Sequence, residues 1–378
     1  MHKNMVKIAH FIYDSSDNPW LGGGGYIRTV EIYKRFPGNY KIDLFCGDFY
    51  NSHKFSPDKQ INVRFTGRKS KCYLLSRLWY IIKVYKLLKS INNKYDLVVE
   101  DFSPYSPLFT FRFINKKKLI CIVQNHFGFV NHIKKFGPAG ILPFIFEKTV
   151  LKKYENYIFS SDDLKQIVYK NIRLSAVESE SIPNGVSDEF LATHKENTPE
   201  RGLLFAGRLE IYQKGIDILL KQFSFLIKKF PDLTLTIAGG GKDHLKVESL
   251  INKLNLQNNT KIKGRVNTYE LKHLYSSSYI TVIPSRYESW GMVSLESQAC
   301  GTPVVASNIP GLRQTLQHQK SGFLFNNTDE LISYISSLLN NRKMHEQMSH
   351  EARKFASGFT WKKEATRTKE FMEKLIRG

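Results

Sequence analysis

Cysteine is scarce in this chain: Cys46, Cys72, Cys121 and Cys300 are the only four in 378 residues. They form no Cys-x-x-Cys pair, so neither a zinc cluster nor a disulfide framework is expected. No His-Glu-x-x-His occurs, and no Asp-x-Asp that could hold a metal against a diphosphate. Metal-independent chemistry without a resident cofactor is the expectation. No apolar run approaches the roughly 20 residues of a membrane span. His10 and Asp14 interrupt the first apolar stretch, so a secretory core is lacking and the cytoplasm is the expected compartment. Acids are also in short supply. The 34 Asp and Glu against 56 Lys and Arg leave a net charge of +22. Such a surplus calls for an anionic partner, whether diphosphate, acidic lipid, anionic polymer or nucleic acid. Part of it is also what an AT-rich genome would encode as Lys and Asn. The aromatics are not interleaved with the basic residues in any nucleic-acid motif, so no nucleic acid is expected.

What is present is alternation. Residues 6–13, 40–46, 95–99 and 119–123 read as strands, with a helix over 26–36 after the glycines 22–25. The pattern restarts at 202–206, followed by a helix over 215–230 and strands over 233–238, 280–284 and 303–306. Short apolar runs separated by helices predict a parallel sheet buried on both faces, here twice. The length agrees with two domains. Asn184-Gly185 marks a turn and residues 193–199 are polar, which puts the boundary near there. The expected division is 1–190, then 191–358, with a last helix in 359–378. A ligand is expected in a central cleft between two such sheets, outside the carboxyl ends of their strands.

The most informative segment is Glu288-Ser-Trp-Gly-Met-Val-Ser-Leu-Glu296, which follows the strand over 280–284. A helix opening near Gly291 presents unpaired N–H groups that favour a phosphate. Carboxylates on either side of that anion would be repelled by it, yet they can accept hydrogen bonds from sugar hydroxyls. The ligand implied is a phosphate flanked by sugars. Arg208, just past the strand end, and Lys214, at the next helix start, could neutralise a diphosphate whose charge grows as it leaves. The bland alternatives are two solvated cations and, for Glu288, an acid on a helix dipole.

Glu-x7-Glu followed by Ser297-Gln-Ala-Cys-Gly-Thr-Pro-Val-Val-Ala306 resembles the donor site of retaining glycosyltransferases of the GT-B fold, family 4. Phe205-Ala-Gly-Arg-Leu209 with Lys214-Gly215, Ser181-Ile-Pro-Asn-Gly-Val186 and Leu235-Thr-Ile-Ala-Gly-Gly-Gly241 agree with that family in order and spacing. The resemblance covers nearly the whole chain and is strongest over 181–325. It implies two Rossmann-like domains, acceptor-binding and then donor-binding, with the C-terminal helix returning to the first. Arg208, Lys214 and Glu288 would act at the diphosphate and the transferred sugar. Glu296 would bind ribose. Gly207 would lie in the donor site, and the N–H groups of Gly291, Met292 and Val293 would cradle phosphate. Arg265 and Val266, in Ile262-Lys-Gly-Arg-Val266, would offer backbone to the base.

In the first domain the resemblance places His126 near the reacting sugar or the acceptor. The family's His-Asp is replaced here by His126-Phe127, so the acidic neighbour is missing, and a structural loop histidine is the alternative. Gly23 and Gly24, in a loop that lets backbone approach a ligand, would face the donor. Glu100 and Asp101, after the strand over 97–99, are candidates for acceptor hydroxyls or a base; a plain loop acid is the alternative. Residues 72–91 form an amphipathic helix with Leu74, Leu78, Ile81, Ile82, Tyr85 and Leu88 on one face and Arg77, Lys83, Lys86 and Lys89 on others. That face is either the core or, with nearby lysine patches, a contact with an anionic membrane.

The expectation is a hexosyltransferase moving sugar from a nucleotide-diphosphate donor to a hydroxyl of a glycan or lipid-linked acceptor in cell-surface polysaccharide biosynthesis. The protein would be cytoplasmic or peripheral on the inner membrane face. A same-fold epimerase or phosphorylase, or a basic polymer-binding module, are the rivals.

Overall fold

A computed structural model describes residues 5–20, 23–53, 57–91, 93–193 and 202–377. The chain divides into two units, Met1–Gly185 with Trp361–Gly378, and Val186–Thr360.

Unit 1 is built on β1 (Val6–Ile12), β2 (Tyr40–Gly47), β3 (Ile61–Thr66), β4 (Leu97–Asp101), β5 (Leu119–Val123), β6 (Asn156–Phe159) and β7 (Glu178–Ser181). All pairs are parallel, in the order β3-β2-β1-β4-β5-β6-β7. Helices α1 (Gly24–Tyr33), α2 (Tyr73–Ile91), α3 (Gly128–Phe136), α4 (Ile141–Val150) and α5 (Asp162–Ile172) lie in the connections. β5 reads Leu-Ile-Cys-Ile-Val and is buried throughout, as a strand covered on both faces must be.

Unit 2 contains β8 (Gly202–Ala206), β9 (Thr234–Ala238), β10 (Thr260–Gly264), β11 (Ile280–Ile283), β12 (Val304–Ser307) and β13 (Gly322–Phe325), all parallel in the order β10-β9-β8-β11-β12-β13. Leu203, Phe205, Leu219, Phe223, Leu235 and Val282 form the heart of its core. Each such side chain contributes roughly 1.5–3 kcal/mol by leaving water. The strand order reverses between β8 and β11, so the loops that follow them leave the sheet side by side. That reversal positions the candidate site.

Both ends of the boundary differ from the expected 190/191. Val186 N–H donates to Phe359 O at 2.7 Å, and Phe190 is buried among Tyr275, Trp290 and Leu295, so residues 186–190 belong to unit 2. The polar stretch 194–199 lies outside the described residues. The C-terminal helix Trp361–Arg377 belongs to unit 1. There Tyr40 OH donates to Glu373 (2.9 Å), and Arg367 reaches Glu180 (2.9 Å) and Ser181 O (2.6 Å).

The surface of α2 corrects the periodicity argument. Its buried residues are Ser76, Arg77, Tyr80, Val84, Leu88 and Ile91, while Leu74, Leu75, Leu78 and Tyr85 are exposed. Arg77 is no solvated cation. Its guanidinium bonds Ser103 (2.7 Å) and Ser106 (2.9 Å) and lies over the rings of Tyr13, Tyr73 and Tyr105. Stacking on three aromatic faces favours burying that side.

Candidate functional site

In unit 2, Gly207 N–H donates to Ala238 O at 2.9 Å, ending β8, and Arg208 follows. Its guanidinium stands 3.3 Å from Glu210 and 3.4 Å from Gln213. The turn Ile211–Lys214 ends at Gly215, whose φ of +66° suits glycine, and a Cβ there would lie 1.9 Å from Pro284 O. The glycine therefore lets the loop after β8 press against the loop after β11. Arg286 N–H donates to Gln213 O (2.9 Å), and its guanidinium forks onto Asp217 (2.8 and 2.7 Å), bracing the two loops. As a result Lys214 Nζ meets Glu288 Oε1 at 2.5 Å, and Ser285 Oγ donates to the same oxygen at 3.0 Å. The two charged side chains are only 15% and 11% exposed, so water screens them far less than a surface pair.

Two of the three N–H groups expected to cradle phosphate are engaged within the chain. Gly291 N–H donates to Gly311 O (2.9 Å), and Met292 N–H lies 3.0 Å from Trp290 O. Among the described residues, Val293 N–H has no backbone acceptor. The helix Met292–Ala299 therefore offers one open N–H at its start, not three. Further along it, Glu296 takes a hydrogen bond from Tyr275 OH at 3.1 Å. Burial pushes its carboxyl up to about 7, with the Tyr275 bond opposing. Arg265 is exposed and lies over Gly240, and Gly239 presses on Gly207, so residues 207–208, 239–240 and 265 are contiguous. Val266 is half-buried beside them. Arg208, Lys214 and Glu288 thus share one pair of loops, whereas the partner of Glu296 is Tyr275.

In unit 1, Gly23 caps α1 with φ of +71° and Gly24 opens the helix; Gly22 lies outside the described residues. Glu100 is not available to an acceptor. It lies within β4, not past its end, and is fully buried with Oε2 accepting from Thr110 Oγ1 and Tyr154 OH. Burial raises its carboxyl to about 6, opposed by those hydroxyls. Alternate residues of a strand face opposite ways, and Asp101 faces the other side. It accepts from Gln124 Nε2 (2.5 Å) and lies 2.9 Å from His10 Nε2, whose Nδ1 is 2.8 Å from Tyr33 OH.

His126 follows β5 and is buried. Its Nδ1 lies 3.2 Å from Glu147 Oε2, and its Nε2 lies 3.1 Å from Asn171 Nδ2. The carboxylate beside it is Glu147, on α4. Among the described residues, no group of three or more His, Cys, Asp or Glu is placed to hold a metal ion.

Sequence reasoning missed several of these partners. Glu210 takes both Arg208 and Lys242 (3.3 Å each), and its place two residues after Arg208 was a usable signal. Lys242, directly after the glycine turn, was another. Glu147, His132 and Asn171 left no trace, because only the fold brings α4 and α5 to His126. The outer surface of α3 and α4 was also unread: Phe129, Val130, Ile141, Leu142 and Ile145 are exposed. Among the described residues no helix is long and apolar enough to cross a membrane.

Residues 186–355 match the family Glycosyl transferases group 1. The uncharacterized glycosyltransferase MJ1178 of Methanocaldococcus jannaschii is 27% identical over 94% of this chain and 96% of its own. Two other curated relatives are matched over only 43% and 40% of their own lengths. Among solved structures, sucrose-phosphate synthase from Thermosynechococcus elongatus superposes with a TM-score of 0.82 at 19% identity, covering 98% of this chain and 99% of that one. Anabaena Alr3699/HepE in complex with UDP gives 0.74 at 18%, covering 98% and 100%. These likenesses show the GT-B fold. The family's domain thus matches unit 2, and an end-to-end relative at 27% identity is named a glycosyltransferase.

Proposed function

We propose that this chain moves a hexose from a nucleotide-diphosphate sugar to a hydroxyl of a glycan or lipid-linked acceptor, with retention of anomeric configuration. The observation that carries this is the Lys214–Glu288 pair joining the two loops at the strand-order reversal of unit 2, with Arg208 at the head of the loop that bears Lys214. Two cations there can take up the charge that grows on a departing diphosphate, and no resident metal is proposed. Glu288 then turns from Lys214 to hydroxyls of the transferred sugar, and Glu296 accepts from ribose. The acceptor hydroxyl loses its proton to the leaving diphosphate on the face of departure. The UDP held by HepE makes a uridine donor the first to test.

We further propose that the acceptor is met at the inner face of the cytoplasmic membrane, in cell-surface polysaccharide synthesis. The exposed Leu74, Leu75 and Leu78 of α2 and Phe129, Val130, Ile141, Leu142 and Ile145 of α3 and α4 support this. Exposed Lys83, Lys86, Lys89, Lys134, Lys148, Lys152 and Lys153 accompany them, each worth about 1 kcal/mol at an anionic surface.

A thermal-shift series with UDP-, GDP- and ADP-glucose, followed by mass spectrometry of products with candidate acceptors, tests the reading. One donor should raise the melting temperature, and Arg208→Ala should abolish that rise with the fold intact. Stabilisation by no donor and transfer from none would overturn it.

A further inference from the structure

Glu210 is a buried carboxylate two residues after Arg208, in the loop that follows β8. A diphosphate drawn to Arg208 and Lys214 would be repelled by it. The ordinary use for an acid at this position is to cap the turn Ile211–Lys214. Glu210 is the N-cap residue of that turn, yet its side chain makes no capping bond. It is bound instead to two cations. Arg208 Nη1 donates to Oε2 and Lys242 Nζ donates to Oε1, each at 3.3 Å. The acid side chain is 11% exposed, against 41% for Arg208 and 68% for Lys242, so the negative group lies deeper than the positive ones.

Lys242 directly follows the glycine turn 239–241, and that turn is laced to the loop after β8. Leu209 N–H donates to Gly240 O (3.0 Å), Asp243 N–H to Leu209 O (3.1 Å) and Ile211 N–H to Asp243 Oδ2 (3.0 Å). Glu210 therefore bridges two loops whose spacing is set by backbone bonds. On the other side of the guanidinium, Arg208 Nη2 donates to Gln213 Oε1 at 3.4 Å, and Gln213 is itself fixed by the Arg286 N–H on its carbonyl. A guanidinium carries five N–H donors in one plane. Glu210 and Gln213 take one from each Nη, which sets the plane and leaves three for an anion.

We infer that Glu210 is the positioning residue of Arg208: it orients the guanidinium for the departing diphosphate, while Lys242 offsets the charge that would otherwise repel the donor. The inference rests on the proposed reading of Arg208 as a donor residue. Glu210 itself touches neither substrate nor reacting atoms.

Guanidinium motion, turnover and nucleotide affinity test this together. Nitrogen NMR of arginine-labelled protein should show Arg208 rotating more slowly about its Nε–Cζ bond than the exposed Arg265. Equal rotation in the wild-type chain would overturn the inference, with no variant required. Glu210→Gln should free that rotation and lower nucleotide release from UDP-, GDP- or ADP-glucose about 10-fold or more, as a misplaced donor does. Its affinity for UDP, GDP or ADP should hold or rise, because a negative charge beside the anion has gone. A merely structural role would weaken affinity and turnover together, and that result would overturn the inference. On an Arg208→Ala background Glu210→Gln should cost nothing further; the same loss in both backgrounds would mean that Glu210 does not act through Arg208. If the guanidinium is freed as expected but Arg208→Ala turns over normally, Glu210 still positions Arg208, and it is the reading of Arg208 as a donor residue that falls. Should Glu210→Gln fail to fold, Gln213→Ala decides: Arg208 held by Glu210 alone should still rotate slowly, and free rotation there would overturn the inference.

Discussion

Lys214 and Glu288, 74 residues apart in sequence, are joined at 2.5 Å. Each is thereby held in place by the other, and on the proposed reading a diphosphate would compete with Glu288 for the ammonium. Lys214→Ala should lower kcat/KM by about a hundredfold or more, roughly 3 kcal/mol, as removal of a transition-state donor does. Glu288→Gln should weaken the same reaction while leaving Lys214 freer to bind nucleotide. The check is steady-state kinetics beside nucleotide titration for both single variants and the double variant. Additive losses would mean the pair does not act as a unit.

Glu296 gives a pH dependence whose sign can be worked out. Its folded-state carboxyl is raised from 4.5 to about 7 by burial. The unfolded chain ionises first as pH rises, so the stability from keeping the group neutral is present at low pH and is lost between about 4.5 and 7. The full loss is at most about 3 kcal/mol. The melting temperature of the free protein should fall over that window, and less so in Glu296→Gln. Donor affinity should move oppositely, strengthening as the carboxylate forms, and Glu296→Gln should flatten that profile. Melting curves and donor titrations across the window read both.

Gly239 has φ of +147°, and a Cβ there would lie 1.8 Å from Gly207 O. Gly239→Ala therefore strains its own backbone and pushes against the residue before Arg208. A loss of about 2 kcal/mol or more is expected. It should appear as a lower melting temperature with weakened donor binding. Ordinary stability and affinity would mean that the two loops adjust freely.

The apolar surface of unit 1 predicts lipid binding. Leu78 and Leu142 are 51% and 57% exposed, so replacing either with Glu removes little packing. Each leucine leaving water contributes roughly 1.5–3 kcal/mol. Leu78→Glu or Leu142→Glu should reduce co-sedimentation with phosphatidylglycerol vesicles about tenfold or more, with the melting temperature unchanged. Equal binding of both variants and the parent would remove the membrane reading.

The parallel sheets were legible wherever strands are buried on both faces. β1, β5, β8 and β11 are apolar runs that no other element would use so economically. β7 reads Glu-Ser-Glu-Ser and carried no such mark; it sits at the sheet edge, where Arg367 and Lys374 pair with Glu180 and Glu178. α2 misled because two stripes recur at helical spacing. Tyr80, Val84, Leu88 and Ile91 compete with Leu74, Leu78 and Tyr85, and only tertiary packing chooses between them. In the site, Arg208, Lys214 and Glu288 were readable as motif residues. The donors at Gly291 and Met292 were not, because backbone bonds such as Gly291 N–H to Gly311 O leave no sequence signature. Glu100 was misplaced by a boundary error: the strand runs on to Asp101, which turns residue 100 inward.

The C-terminal helix carries a consequence for biosynthesis. Unit 1 comprises Met1–Gly185 and Trp361–Gly378, so unit 2 is inserted within it. A ribosome releases most of unit 1 early, yet the segment containing Trp361, Phe371 and Met372, all buried in the folded protein, emerges only after unit 2. Unit 2 is continuous and can complete itself first. The sheet of unit 1 must therefore wait, partly bare, until that segment has been made. A chain terminated before Trp361 would pair a finished unit 2 with an unsealed unit 1 for chaperones and proteases to find.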